Sequence, residues 1–180
     1  TYDWGSLDPN ALPAGTHIVT VTDANGCTST CEVNITEPTA ALYCETTVVQ
    51  NVSCFGGSDG QATVQGYQGT APYTYDWGSL DPSALPEGAH TVTVTDANEC
   101  TSTCSVTITE PDLLYCLTTV VQNVSCFGGS DGQATVQGIG GTSPYTYDWD
   151  ELDPNALPAG THTVIVTDDK YCTSTCMVAI

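Results

Sequence analysis

The fold is decided by residues 88–109, which read GAHTVTVTDANECTSTCSVTIT. Val92 and Val94 alternate with threonines, and after the turn-forming DANEC, Val106 and Ile108 alternate with polar residues in the same way. Alternation of apolar and polar side chains with a period of two is typical of β-strands that bury one face. The stretch predicts two strands that place these four apolar side chains in a core.

The same pattern extends to the preceding segments, and no stretch shows a helical period. Tyr75 and Trp77 share one face of a short aromatic strand, and we expect both to join the core. GGSDG and LDPSALPEG separate the runs and have the composition of turns. Many short strands between turns, with an aromatic strand ending in Trp77, favour an all-β, immunoglobulin-like sandwich.

Three motifs recur along the chain. TYDW begins at residues 1, 74 and 146, CTSTC at 27, 100 and 172, and CFGGSDGQATVQG at 54 and 126. These offsets define tandem repeats of about 72 residues. Proline ends the alternating runs, so we place boundaries after Pro38 and Pro111. The predicted organisation is the C-terminal half of a repeat at 1–38 and complete repeats at 39–111 and 112–180. We expect the natural chain to continue upstream, and the alternative is that a neighbouring chain donates the missing strands.

The charge is almost entirely of one sign. There are 21 acidic residues and one basic residue, for a formal net charge of −20. This argues against binding to nucleic acid or to anionic lipid, because both need lysine and arginine. No apolar run approaches the length of a membrane span. Ten cysteines in an acidic chain rich in threonine and glycine predict an extracellular, oxidising environment.

Taken in order, the segments VSCFGGSDGQATV, PYTYDW, AGTHTV, VTDANGC and VTITEP resemble the SprB repeat. That family occurs in very large surface adhesins of gliding Bacteroidetes. The resemblance implies an immunoglobulin-like module, export to the cell surface, and a role in adhesion or gliding filaments. The chain departs from the pattern in two places: the segment after Trp77 is shorter and proline-rich, and each unit has an added pair of cysteines at Cys44 and Cys104.

We expect all the cysteines to form disulfides: Cys27, Cys31, Cys44, Cys54, Cys100, Cys104, Cys116, Cys126, Cys172 and Cys176. The four cysteines of a unit allow three pairings, among which the sequence does not choose. The resemblance implies Cys54–Cys100, which leaves Cys44–Cys104. Sandwich topology instead places Cys54 and Cys100 at opposite ends of the domain, which favours Cys44–Cys100 with links between neighbouring domains. Zinc or iron–sulfur binding through the C-x3-C spacing of CTSTC is the lesser alternative.

Acidic side chains in turns are the other candidate ligands. Asp23, Asp59, Asp96 and Asp131 lie near glycine or asparagine and would supply oxygen ligands to a Ca²⁺ cofactor. The competing interpretation is that short aspartate side chains stabilise the turns themselves. Each histidine stands alone at the start of an alternating strand, without a nucleophile at a recognisable spacing. We therefore expect a packed corner histidine and no enzymatic activity.

The leading hypothesis is a structural repeat segment of an extracellular, disulfide-stabilised adhesin or surface filament. Its partners would be neighbouring repeats of the same long chain and other copies in a filament. The alternative is a carbohydrate- or Ca²⁺-binding accessory module of a secreted protein. That alternative predicts an exposed aromatic patch or a cluster of carboxylates.

Overall fold

The computed structural model describes residues 1–180, which form thirteen β-strands and no helix. The chain divides into two compact units, Thr1–Ala41 and Leu42–Ile180. The two units meet after Ala41, and the boundary placed from the sequence pattern follows Pro38. Since there is no helix, none is long and apolar enough to cross a membrane.

The first unit is one antiparallel sheet in the order β1-β2-β3. Its strands are β1 (Tyr2–Asp3), β2 (Gly15–Thr22) and β3 (Thr28–Ile35). Val19 is its only buried apolar side chain, at 4% exposure, and Ile18 on the opposite face is 61% exposed. The unit thus contains the strands of the C-terminal half of a repeat.

The second unit contains two copies of one five-stranded arrangement, and each copy has a two-stranded and a three-stranded antiparallel sheet. The strands of the first copy are β4 (Tyr43–Gln50), β5 (Gln61–Tyr67), β6 (Thr74–Asp76), β7 (Gly88–Thr95) and β8 (Thr101–Ile108). Those of the second are β9 (Tyr115–Gln122), β10 (Gln133–Ile139), β11 (Thr146–Asp148), β12 (Thr161–Thr167) and β13 (Thr173–Ala179). The all-β prediction is confirmed, with five strands where a constant-type immunoglobulin domain has seven.

The core of each repeat lies between its two sheets. In the first repeat, Ala62 on β5 packs with Val106 and Ile108 on β8. Val92 and Val94 on β7 have no exposed surface, and the second repeat has a separate cluster around Leu157 and Val164. The period-two pattern therefore places the valines of β7 and β8 inside the repeat, because alternate side chains of a strand point to opposite faces.

Tyr75 is not a core residue, contrary to the sequence prediction. It is 40% exposed, and its hydroxyl accepts a hydrogen bond from the Gly66 amide at 3.3 Å. β6 has only three residues and pairs with β7 alone, so the aromatic strand is a short edge that leaves this ring at the surface. Trp77 is half-buried and packs against the core cluster.

The proline-rich segment after Trp77 takes the place of a strand beside β5. Leu85 and Gly60 exchange two backbone hydrogen bonds, at 3.0 and 2.8 Å, and the Leu85 side chain is fully buried. A Cβ atom on Gly60 would lie 2.6 Å from Ile108 Cγ2. Position 60 therefore needs glycine, because the segment and β8 approach the backbone too closely for a side chain.

The first and last strands of each repeat run side by side in the same direction. Thr46 Oγ1 on β4 donates to the Ser105 carbonyl at 2.8 Å, and farther along the Val52 amide donates to the Thr109 carbonyl at 2.9 Å. From the first contact to the second, the residue number increases on both strands, so the two strands are parallel. This places the loop that follows β4 at the carboxyl end of β8, which determines which cysteines can meet.

Candidate functional site: the disulfide network

Each complete repeat has one internal disulfide between its first and last strands. Cys44 on β4 is bonded to Cys104 on β8 with their Cα atoms 5.8 Å apart, and Cys116 is bonded to Cys176 at 6.0 Å. The parallel course of these strands brings the sulfur atoms together. Each bridge closes a separation of 60 residues and links the two sheets of the sandwich.

A third disulfide joins the two repeats. Cys54, in the loop after β4, is bonded to Cys172, in the turn between β12 and β13, with Cα atoms 5.7 Å apart. The Cys54–Cys100 pair implied by the family resemblance is absent. Cys100 precedes β8 and Cys54 lies beyond its other end, so an eight-residue strand of about 25 Å separates them. The alternative Cys44–Cys100 pair is absent too, because Cys104 occupies the position facing Cys44.

The bonded cysteines line a groove between the two repeats. A cavity of about 310 Å³ is lined by the bridge, by Phe55 from the first repeat, and by Leu113, Leu114 and Tyr171 from the second. A second cavity, of about 470 Å³, lies between residues 50–53 and 109–111 on one side and Thr142 and Lys170 on the other. The junction is thus built from side chains of both repeats and includes the chain's only lysine.

The prediction that all ten cysteines form disulfides does not hold for four of them. Cys27, Cys31, Cys100 and Cys126 are exposed and unpaired. The physical reason is distance, because each lacks a facing cysteine among the residues described. In repeat register, Cys31 corresponds to Cys104, and none of the three strands of the first unit corresponds to β4, which carries the partner of Cys104.

The aspartates proposed as Ca²⁺ ligands instead bind backbone amides. Asp96 Oδ1 accepts from the Asn98 and Cys100 amides at 2.9 Å, and its Oδ2 accepts from the Thr70 amide at 2.9 Å. Asp23 accepts from two amides of its own turn at 2.8 and 2.9 Å. No three acidic, histidine or cysteine side chains come together in an arrangement that could hold a metal ion. The Asp23 and Asp96 carboxylates stabilise the turns that carry Cys27 and Cys100.

The other two candidates, Asp59 and Asp131, stabilise the loop that carries the cysteine after the first strand. Asp59 accepts from the Ser53 amide at 2.9 Å, and Asp131 accepts from the Ser125 amide at 2.9 Å. Hydrogen bonds donated by the serine lower the pKa of each carboxyl below its usual value. Both loops are thereby shaped by the same contact, whether or not their cysteine is bonded.

Replacing Asp96 by asparagine should lower the stability of the repeat at neutral pH. Hydrogen bonds lower the pKa of Asp96, with the Thr70 amide as the largest cause, while partial desolvation opposes the shift. A lowered folded-state pKa means that this stabilisation is present above the unfolded value, about 3.9, and is lost as the pH falls through the folded value. Urea unfolding from pH 7 down to 2 should therefore show a weaker acid dependence in the variant. Glu45→Gln, an exposed change of equal charge, is the control.

The histidines of the two complete repeats lie at the corner before the long strands and contact the proline-rich segment. The ring nitrogen Nε2 of His90 lies 2.8 Å from the Pro86 carbonyl oxygen, and His162 makes the same contact with Pro158 at 2.7 Å. Both rings are 8% exposed. The rings thus fix the proline-rich segment to the start of β7 and β12.

Sequence reasoning missed Phe55 and its copy Phe127. They are the chain's only two phenylalanines, and both follow the cysteine of the CFGG loop. A large apolar side chain between cysteine and two glycines, in a turn, was the available signal. A large apolar side chain in such a turn indicates a contact outside the core of its own repeat.

Two segments of the chain, residues 46–81 and 118–153, match the family model of the SprB repeat. Each runs from within the first strand, through the cysteine loop and the aromatic strand, into the proline-rich segment. A search of the curated proteins found no match. Each of the two complete repeats therefore contains one segment that matches the SprB repeat.

Proposed function

We propose that this chain is a structural repeat segment of an extracellular adhesin or surface filament, with no enzymatic activity of its own. In this role each repeat is a rigid unit and the disulfides preserve the spacing and orientation of the units. The neighbouring repeats of a long chain are the principal partners. Adhesion or gliding motility is the activity to which such a stalk contributes.

The observation that carries this proposal is the Cys54–Cys172 bridge. Consecutive repeats are already joined by the peptide chain, so a second covalent link adds nothing to their connection. What it does add is a fixed orientation, because two covalent links restrict the bending and twisting that a single link allows. A resistance to bending is of use to a stalk that projects a binding surface away from a cell.

The composition and the family resemblance support an extracellular location. Structural disulfides persist in oxidising compartments and are rare where thiols are kept reduced, and this chain contains three. SprB repeats belong to surface adhesins, as the resemblance implies. The net charge of −20 adds mutual repulsion, which keeps long projecting chains soluble and apart.

Replacing Cys54 by serine should let the two repeats reorient while leaving each of them folded. Small-angle X-ray scattering should then give a broader distribution of overall dimensions, and ¹⁵N relaxation should give separate tumbling of residues 42–111 and 112–180. Cys126→Ser is the matched control, because Cys126 has the same place in its own repeat but is unpaired. Identical behaviour of the two variants, or a native Cys54 thiol that is free, would contradict the proposal.

A further inference from the structure

Two tyrosine rings are stacked on the surface of the first complete repeat. Tyr43 on β4 faces Tyr67 on β5 in the antiparallel register, with ring centroids 5.1 Å apart and ring planes 16° from parallel. Tyr43 is 42% exposed and Tyr67 is 38% exposed. The stack holds both rings in one arrangement before any ligand arrives, which lowers the entropy cost of binding. The pair is therefore a preformed aromatic surface that faces solvent.

Polar side chains continue the same face of these two strands. Glu45 and Gln65 are the next facing pair on this side, two residues along from the tyrosines, and both are exposed. Alternate residues of a strand lie on one face about 7 Å apart, so the long Glu45 side chain reaches a group bound at the stack. The Glu45 carboxylate has no basic partner, because the chain's one ion pair joins Lys170 to Asp169.

The second repeat lacks this combination. Strands β9 and β10 repeat the sequences of β4 and β5 except at two positions, where Leu117 replaces Glu45 and Ile139 replaces Tyr67. Both differences lie on the face that carries the tyrosines. Tyr115 keeps the place of the β4 tyrosine and is 46% exposed although a complete repeat precedes it. A preceding repeat therefore does not cover this face, and the stack and the carboxylate occur together in the first complete repeat alone.

We propose that the Tyr43–Tyr67 stack and Glu45 form a binding site for a polysaccharide of amino sugars with free amino groups. The C–H face of a sugar ring packs on an aromatic ring, and a protonated amine is attracted both to that ring and to a carboxylate. Gln65 Nε2 donates to the Gly66 carbonyl at 3.2 Å, which leaves its Oε1 to accept from a sugar hydroxyl.

The charge of the chain selects the occupant. A net charge of −20 attracts a cationic polymer, whereas it opposes an anionic polysaccharide or a second copy of this chain. The face also alternates rings with polar side chains, which suits hydroxyl-bearing sugars better than a dry protein interface. The site adds an adhesive contact to the structural role, and it does not depend on the disulfide network.

The test titrates the whole 180-residue chain with a β-1,4-linked glucosamine hexamer, at about pH 6 and about 0.15 M salt, and follows amide chemical shifts by NMR. The shifts should be confined to residues 43–47 and 63–67. Tyr67→Ile and Glu45→Leu introduce the residues that the second repeat accepts at these places, and they should weaken binding about tenfold and about fivefold. Glu87→Gln removes one exposed charge elsewhere in the same repeat and should bind like the unmodified chain.

The reciprocal change tests the site by gain of binding. Ile139→Tyr combined with Leu117→Glu should double the number of hexamers bound per chain in isothermal titration calorimetry. The neutral glucose hexamer of the same linkage should bind about tenfold more weakly, because it has no ammonium group. Equal binding of the neutral hexamer, shifts spread over the acidic turns of both repeats, or unchanged affinity in Tyr67→Ile would overturn the site. So would sedimentation that shows self-association through Tyr67 without sugar.

Discussion

Replacing both Cys44 and Cys104 by serine is expected to lower the free energy of unfolding of the first complete repeat by about 4 kcal/mol. The bridge closes a separation of 60 residues, and cross-linking over that length removes chain entropy from the unfolded state by this amount. A repeat of this size has little stability to spare, because small domains bury a modest fraction of their surface. The melting temperature should fall on the order of 20 °C.

Hydrogen exchange followed by mass spectrometry measures this effect with an internal reference. Peptides from residues 42–111 should lose protection, whereas peptides from 112–180 keep Cys116–Cys176 and should change far less. Cys100→Ser is the matched control, because Cys100 lies four positions from Cys104 and is exposed and unpaired. Equal protection of both repeats in the double variant would show that the internal bridge contributes no stability.

The alternation of residues was sufficient to predict the long strands and their buried faces. Val92, Val94, Val106 and Ile108 follow a period of two over whole strands, and a strand with one buried face needs exactly that pattern. Tyr75 follows the same period over three residues only. At the edge of a sheet this parity does not ensure burial, because no further strand follows β6 there and the ring stays 40% exposed.

Two structural features could not be predicted from local sequence patterns. Leu85 is fully buried although it stands in a proline-rich turn segment, where nothing alternates. The partner of Cys54 is a cysteine of a CTSTC motif, and every repeat carries the same motif. The local sequence therefore does not tell whether the partner lies in the same repeat or in the next one. The decisive information was positional: Cys54 and Cys100 lie at opposite ends of one repeat, so an end-to-end neighbour must supply the partner.

The three bridges form an interlocked set. With all of them intact, a pulling force that enters at Cys44 passes directly to Cys104 and skips the residues between. If that bridge is missing, the force continues only to Cys54, crosses to Cys172, and still skips most of the first repeat. Either bridge alone is therefore enough to keep the first repeat from extending.

This interlocking predicts a non-additive result in single-molecule stretching between the chain ends. Removing Cys44–Cys104 alone, or Cys54–Cys172 alone, should leave the maximum length nearly unchanged. Removing both should release the 60 residues between Cys44 and Cys104, about 200 Å at 3.3–3.6 Å per residue. Cys100→Ser combined with Cys126→Ser removes two thiols without touching a bridge, and it should give the length of the unmodified chain. An increase of that size after the loss of Cys44–Cys104 alone would mean that no bond joins the repeats under load, because only the Cys54–Cys172 link can carry force past the broken bridge.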